Sequence, residues 1–375
     1  MSSATEPRSE TGRGQQAHVA SYALTGCPDP RLEGFAAALS AALDAAGFAR
    51  ALDTKEASLV VNLVDVADPK PYRRGSRGTF VAGVFAQDTP PASFDEGLRQ
   101  GYPMLVRALA NVALCYVPGE GVFFTTMERG HYSVRADGAA LAAAVVERLD
   151  PLARSRLVID NDFVPDLEPE LWHGDEITRQ ISAAGERLDR LGLLPAPFPI
   201  EELLSERELR HVKRLYGIGG LSYGNLSARK DTNRFWMSAS GVDKGKLVQP
   251  GRDILLISGY EPDAARMTIS VSPEIEPLRA SVDAIEHWMI YQHHPEIGAI
   301  LHVHAWMDGI AATDINFPCG TAELATAVSA LIAAEPDPLH AVVGLRNHGI
   351  TATGENLEEI LNRIEPTLRR HVPMS

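Results

Sequence analysis

The chain has 375 residues, and a single hydrophobic core stops growing at about 250–300, so two domains are expected. At 45% hydrophobic and 22% charged it is globular in composition, and its 31 Gly and 25 Pro show no period, which excludes disordered and fibrous classes. The formal charge of −14, from 49 acidic against 35 basic residues, excludes the broad basic face that sequence-independent nucleic-acid binding needs.

Cys27, Cys115 and Cys319 are odd in number and far apart, as expected for free thiols in a reducing compartment. Residues 1–16 are polar, without an apolar signal core, and read as a disordered tail. No apolar run reaches the roughly 18 residues that span a bilayer. A cytoplasmic protein without membrane or nucleic-acid partners is expected.

In chain order, 17–24 predicts a strand and 31–48 an Ala/Leu-rich helix stopped near Gly47. Strands follow at 58–66 and 79–86. Residues 94–117 read as a helix, 121–127 with 131–134 as a hairpin, 138–154 as a helix capped by Asp137, and 156–160 as a closing strand. This alternation predicts an N-terminal α/β domain over 17–165, ending at the Pro- and acid-rich stretch 164–169. A second domain over 170–375 opens with helices at 175–193 and 200–216, interrupted by PAPFP at 195–199.

The N-terminal domain offers little chemistry. Three arginines in the loop 72–78 (Arg73, Arg74 and Arg77) are the right kind of group for an anion, but a solvated loop is the simpler reading. No GxGxxG follows a strand, so no dinucleotide site is expected.

The chemistry lies further on. In 297–306 (IGAILHVHAW) alternate residues of an apolar strand share one face, so His302 and His304 point together. Two such imidazoles either hold one metal or pair as core histidines. The stretch 341–350 (AVVGLRNHGI) reads as another apolar strand, with His348 before Gly349. A third His at a strand end is what a three-His catalytic metal site requires. Before the H-x-H strand, Ile285, Trp288, Met289 and Gln292 recur at helical spacing, with Ser281 placed as N-cap and Asp283 in the first turn. Asp283 reads as a helix-start acid or as a metal-facing ligand or base, and His287 as a core residue or its partner. The turns around Asn225 (in 217–229) and at Ser240-Gly241 (in 237–247) suit a polar or anionic ligand.

Together GNLSAR, SASGVDKGKL, the S-x-D…H…YQ helix, HVH, GTAELA (320–325) and RNHGI resemble the class II aldolase/adducin family over about residues 205–372. The resemblance implies an α/β domain around a central antiparallel sheet, usually in a homotetramer. It implies a divalent metal, most commonly zinc, on His302, His304 and His348. It also implies a substrate phosphate pocket at Asn225, Ser240, Gly241 and Ser281, with Asp283 as catalytic carboxylate or fourth ligand.

Four departures qualify it. Asp283 stands where the family's aldolases carry Glu, as in the ribulose-phosphate epimerase branch. Val282 replaces a second phosphate-binding Ser. Only 43 residues separate His304 from His348, and the chain ends at Ser375 soon after a helix at 355–369, where the family's tail supplies a Tyr. The N-terminal domain is a candidate to fill that space. The expected function is a metal-dependent lyase of carbohydrate metabolism. It would make or break a C–C bond in a hydroxy-carbonyl substrate through a metal-stabilised enediolate. An epimerase, isomerase or decarboxylase on the same site and a non-catalytic adducin-like binding module are the alternatives.

Overall fold

The computed structural model describes residues 20–375 apart from 27–28, 76–77, 128–129, 194–201, 203 and 211–223. The expected tail at 1–16, the PAPFP break and most of the 200–216 helix therefore lie outside the described residues. Residues 206–210 are helical.

The N-terminal strands are buried along their length at the centre of their sheet, as strands covered on both faces must be, and partly exposed at its edges. They are β1 (Ser21–Gly26), β2 (Ala49–Arg50), β3 (Leu59–Leu63), β4 (Phe80–Ala86), β5 (Val112–Val117), β6 (Gly121–Thr126) and β7 (His131–Val134). The sheet runs β2-β1-β3-β4-β5-β6-β7. It is parallel through β5 and antiparallel beyond. Helices α1 (Glu33–Ala45) and α3 (Gly138–Arg154) bury Leu39, Leu43, Val145 and Leu149 on one face, while α2 (Phe94–Ala108) buries Tyr102 and Leu105 on the other.

Two expectations are corrected here. Residues 94–117 are not one helix: Leu109 takes a left-handed φ of 54° and caps α2, and the β-rich VALCYV then forms β5. The strand expected at 156–160 closes nothing in the first sheet. The strand there is β8 (Asp160–Val164), and it pairs in parallel with β12 (Arg266–Ser270) of the second sheet. Val158 already lies in the second core, so the chain leaves the first sheet upstream of the boundary expected at 164–169.

The second sheet has the order β14-β15-β13-β9-β10-β11-β12-β8, antiparallel except for β8. Its other members are β9 (Asn225–Arg229), β10 (Phe235–Ser238), β11 (Ile254–Glu261), β13 (Ala299–Val303), β14 (Val342–Leu345) and β15 (Gly349–Gly354). Helices α4 (Glu176–Arg190) and α7 (Leu357–Ile364) pack together on one face. On the other face lie α5 (Ala284–His293) and α6 (Ala322–Ala334), joined by a 2.9 Å hydrogen bond between His293 Nδ1 and Ser329 Oγ. A capping box at Asp175 starts α4. The Asp175 carboxylate also accepts from Lys230 Nζ at 2.8 Å and from the buried Trp236 Nε1 at 3.1 Å, fastening α4 to the sheet.

The stretch 341–350 is likewise not one strand. It is a hairpin, β14 and β15 joined through Arg346-Asn347-His348, with Asn347 at a left-handed φ of 59°. The helical face expected around Trp288, Met289 and Gln292 is also shifted. Helix α5 buries Ala284, Ile285, Glu286, His287, Ile290 and Tyr291, and Gln292 is exposed.

Candidate metal centre

Strand β13 lies between β9 and β15, and its His302 stands opposite Asn225 of β9 and Thr351 of β15. This cross-strand row faces α5. His304 follows at the strand end, and the β14–β15 turn brings His348 against it. One ligand nitrogen from each of the three histidines lies within 4.8 Å of the others, and His304 Nε2 and His348 Nε2 are 3.0 Å apart. Two glycines permit this closure. Gly224 has φ +80° and passes so near His302 that a Cβ would lie 2.4 Å from its carbonyl oxygen. A Cβ on Gly349 would lie 2.3 Å from the carbonyl oxygen of Val303.

His302 is fully buried. Its ring bonds the backbone of Ile350, its Nδ1 lies 3.4 Å from Thr351 Oγ1, and its Nε2 has no hydrogen-bond partner among the described residues. Burial pulls its pKa down to about 4, against the Ile350 bond and with help from the Lys244 charge. The imidazole is therefore neutral at ordinary pH with a bare Nε2, the state a metal ligand requires. Three imidazoles gathered at this spacing fit a divalent ion.

Asp283 is the N-cap of α5, a role expected of Ser281. Its Oδ2 accepts from Asn225 Nδ2 at 2.7 Å. Asn225 Nδ2 also reaches Ser281 Oγ at 3.2 Å, and that oxygen accepts from the Asp283 amide at 3.4 Å. An Ala239–Ala280 bridge sets Ser240 and Gly241 (φ +72°) beside this group. The four residues expected to line a phosphate pocket are engaged unequally. Asn225 turns to the carboxylate, and the Ser240 amide is spent on the Arg279 carbonyl at 2.8 Å. The hydroxyls of Ser240 and Ser281 are what these two residues have left to offer a ligand.

His287 belongs to the core. Its Nδ1 pairs with Ser227 Oγ at 2.7 Å, Ser227 pairs with Tyr291, and burial holds its pKa well below the usual value.

Three residues at the site escaped the sequence reading. Lys244 is 4% exposed in the turn after Gly241; burial brings its pKa down to about 8 against the nearby Asp283 and Asp243 charges. Glu286, one turn beyond Asp283, is buried and accepts from Thr351 Oγ1 at 2.6 Å, with Oε2 unpartnered among the described residues. Burial and Asp283 raise its pKa well above the usual carboxylate range. Cys319 Sγ lies 3.5 Å from His348 Nε2. The lysine sits inside the SASGVDKGKL motif, which was its available signal; nothing in the sequence marks the other two as site residues.

Arg74 bonds the Leu109 carbonyl and Asn111 Oδ1, and Arg77 lies outside the described residues. Near the metal centre, the Asn347 side chain pairs with both the backbone N–H and the carbonyl of Ser375, each at 2.8 Å. Neighbouring Met374 packs on the N-terminal core.

Residues 209–312 match the family model described as Class II Aldolase and Adducin N-terminal domain. Residues 209–312 carry that family's domain. The match holds Asn225 to His304 but stops short of His348, which the hairpin turn adds. A methylthioribulose-1-phosphate dehydratase of Gluconobacter oxydans is 32% identical over 138 residues, 37% of this chain and 47% of that relative. Its counterpart in Xanthomonas campestris pv. campestris is 33% identical over 88 residues, 24% of this chain and 35% of that relative. The chain thus matches less than half the length of these curated relatives. Among solved structures, an L-fuculose 1-phosphate aldolase is 19% identical, covering 51% of this chain and 81% of its own, with a TM-score of 0.35. The N-terminal class II aldolase domain of a conserved Thermoplasma acidophilum protein is 16% identical, covering 53% and 93%, with a TM-score of 0.31.

Proposed function

We propose that the chain is a divalent-metal-dependent lyase acting on a small hydroxy-carbonyl compound of the sugar-phosphate or keto-acid kind. The observation that carries this reading is the meeting of three imidazole nitrogens within 4.8 Å, one of them a buried, unpartnered Nε2. His302, His304 and His348 would hold the metal, for which zinc is the assignment. A divalent ion there supplies Lewis-acid polarisation of a substrate carbonyl.

The chain's own residues supply the rest. Asp283 accepts and returns the substrate proton, aimed by its bond from Asn225. Lys244 places a buried ammonium group beside Asp283. Ser240, Gly241 and Ser281 face the polar end of the substrate. For C–C cleavage, Asp283 takes the proton of the hydroxyl on the carbon that leaves. A second reading is loss of water, in which Asp283 takes the proton from the carbon next to the carbonyl and the hydroxyl on the following carbon leaves, taking up a proton to depart as water while the C=C bond forms. The dehydratase names of the curated relatives favour that second reading.

Product analysis by mass spectrometry and NMR, with zinc-loaded protein and a panel of phosphorylated ketoses and hydroxy-keto acids, decides between these. Two carbonyl fragments mean C–C cleavage, and one product lighter by water means dehydration. An isomer of unchanged mass means the epimerase alternative, and zinc-loaded protein without turnover supports the binding module. Among the described residues no helix is long and apolar enough to cross a membrane. A cytoplasmic homotetramer is part of the proposal, and light scattering on the purified protein checks the assembly.

A further inference from the structure

We propose that Glu286 is a positioning residue for the metal centre: through the Thr351 hydroxyl it sets the tautomer of His302, so that Nε2 is the nitrogen left for the metal. This rests on the metal-dependent reading above and adds a residue that the three ligands do not themselves require.

Glu286 lies wholly inside the domain, 1% exposed, with Oε2 unpartnered among the described residues. A carboxyl in that position is costly to bury, and an apolar side chain would fill the same space more favourably. Its hydrogen bond among the described residues comes from Thr351 Oγ1, at 2.6 Å. Thr351 is the direct cross-strand partner of His302, and the same Oγ1 lies 3.4 Å from His302 Nδ1.

The direction of these bonds decides the tautomer. A hydroxyl has one proton. Glu286 Oε1 accepts that hydrogen bond, with the carboxyl's own proton held on Oε2, so Oγ1 meets the imidazole with a lone pair and Nδ1 carries the ring hydrogen. The bond between the ring and the Ile350 backbone agrees. If Thr351 were free to donate to Nδ1 instead, it would compete with the Ile350 bond for that nitrogen, and a ring proton moved to Nε2 would block it as a ligand. Asp283 anchors the opposite neighbour, Asn225, from the same helix. Helix α5 thus fixes both flanks of His302 with two carboxyls one turn apart.

The test compares wild type with Glu286→Leu, Thr351→Val, Glu286→Gln and His302→Ala. Zinc affinity is read by competition with a chromophoric chelator. The His302 tautomer comes from ring 15N shifts of the metal-free protein, and its melting temperature is recorded beside them. Glu286→Leu and Thr351→Val should weaken zinc binding about ten- to hundredfold and move part of the His302 population to the Nε2-protonated form. Glu286→Gln keeps an acceptor oxygen for Thr351 and should stay close to wild type. If Glu286→Leu does not fold, Thr351→Val carries the test. Unchanged affinity and tautomer in the folded variants overturn the proposal, as does a lowered melting temperature with the tautomer intact. Zinc that binds wild type and not His302→Ala, yet binds Glu286→Leu and Thr351→Val equally well, sinks this inference alone. Wild type that takes up no zinc sinks the metal reading with it.

Discussion

Asn225 Nδ2 and Asp283 Oδ2 are 2.7 Å apart, and Asn225 stands directly opposite His302 in the sheet. The proposed base and a proposed metal ligand are therefore registered through one amide. Asn225→Ala should leave metal content intact and lower kcat about a hundredfold, because misplacement by about an ångström is enough to do so. Steady-state kinetics beside elemental analysis checks this. Loss of metal instead would mean that Asn225 supports the ligands rather than the base.

Glu286 gives the metal-free protein a pH signature. Its native pKa is raised by burial first and by Asp283 second, above an ordinary value of 4.5. Once the pH passes that ordinary value, the unfolded chain releases the proton while the native state keeps it. The native state then binds more protons, so stability falls as pH rises, until the native carboxyl ionises in turn. Urea unfolding of the metal-free protein from about pH 5 upward should show this decline. Glu286→Gln, which has no proton to lose, should flatten it.

Asp175 has the opposite sign. Burial alone would raise its pKa, but the bonds from Lys230, the Thr178 amide and Trp236 outweigh it and leave the native value below the ordinary 3.8. Its stabilisation is present above that ordinary value and fades as pH falls through the lowered one. Asp175→Ala should cost about 2–4 kcal/mol at neutral pH, as the sum of a lost helix cap and lost charge-assisted bonds. Chemical denaturation at pH 7 measures the loss. A cost near zero would mean that Lys230 and Trp236 find other partners.

Gly224 and Gly349 hold the strands close beside the histidines. Gly224→Ala would place a methyl 2.4 Å from the His302 carbonyl at a φ of +80°, and Gly349→Ala a methyl 2.3 Å from that of Val303. Each should destabilise by more than about 1 kcal/mol and weaken metal uptake together with stability. Unfolding curves and metal titrations on the same samples test the pairing of the two effects.

The histidine cluster was legible because H-x-H on a strand needs only period-two alternation, and the N-terminal helix–strand order because its runs are long. The failures have physical causes. An apolar run such as Val112–Val117 after a helix carries no periodicity to separate strand from helix. The 341–350 hairpin turns on one left-handed residue, Asn347. Strand β8 was misplaced because its partner, β12, lies a hundred residues away and local pattern does not reveal pairing at that range. Lys244 and Glu286 are charged types that sequence reasoning puts in solvent, and only the packing of α4 and α5 against the sheet removes them from it.

The measurement that reaches the central claim most directly is elemental analysis of the purified protein beside a His302→Ala/His304→Ala variant. Near-stoichiometric divalent metal in the wild type, lost in a variant that still folds, is the predicted result. Wild-type protein without metal after reconstitution, or a variant retaining a full equivalent, would contradict the account.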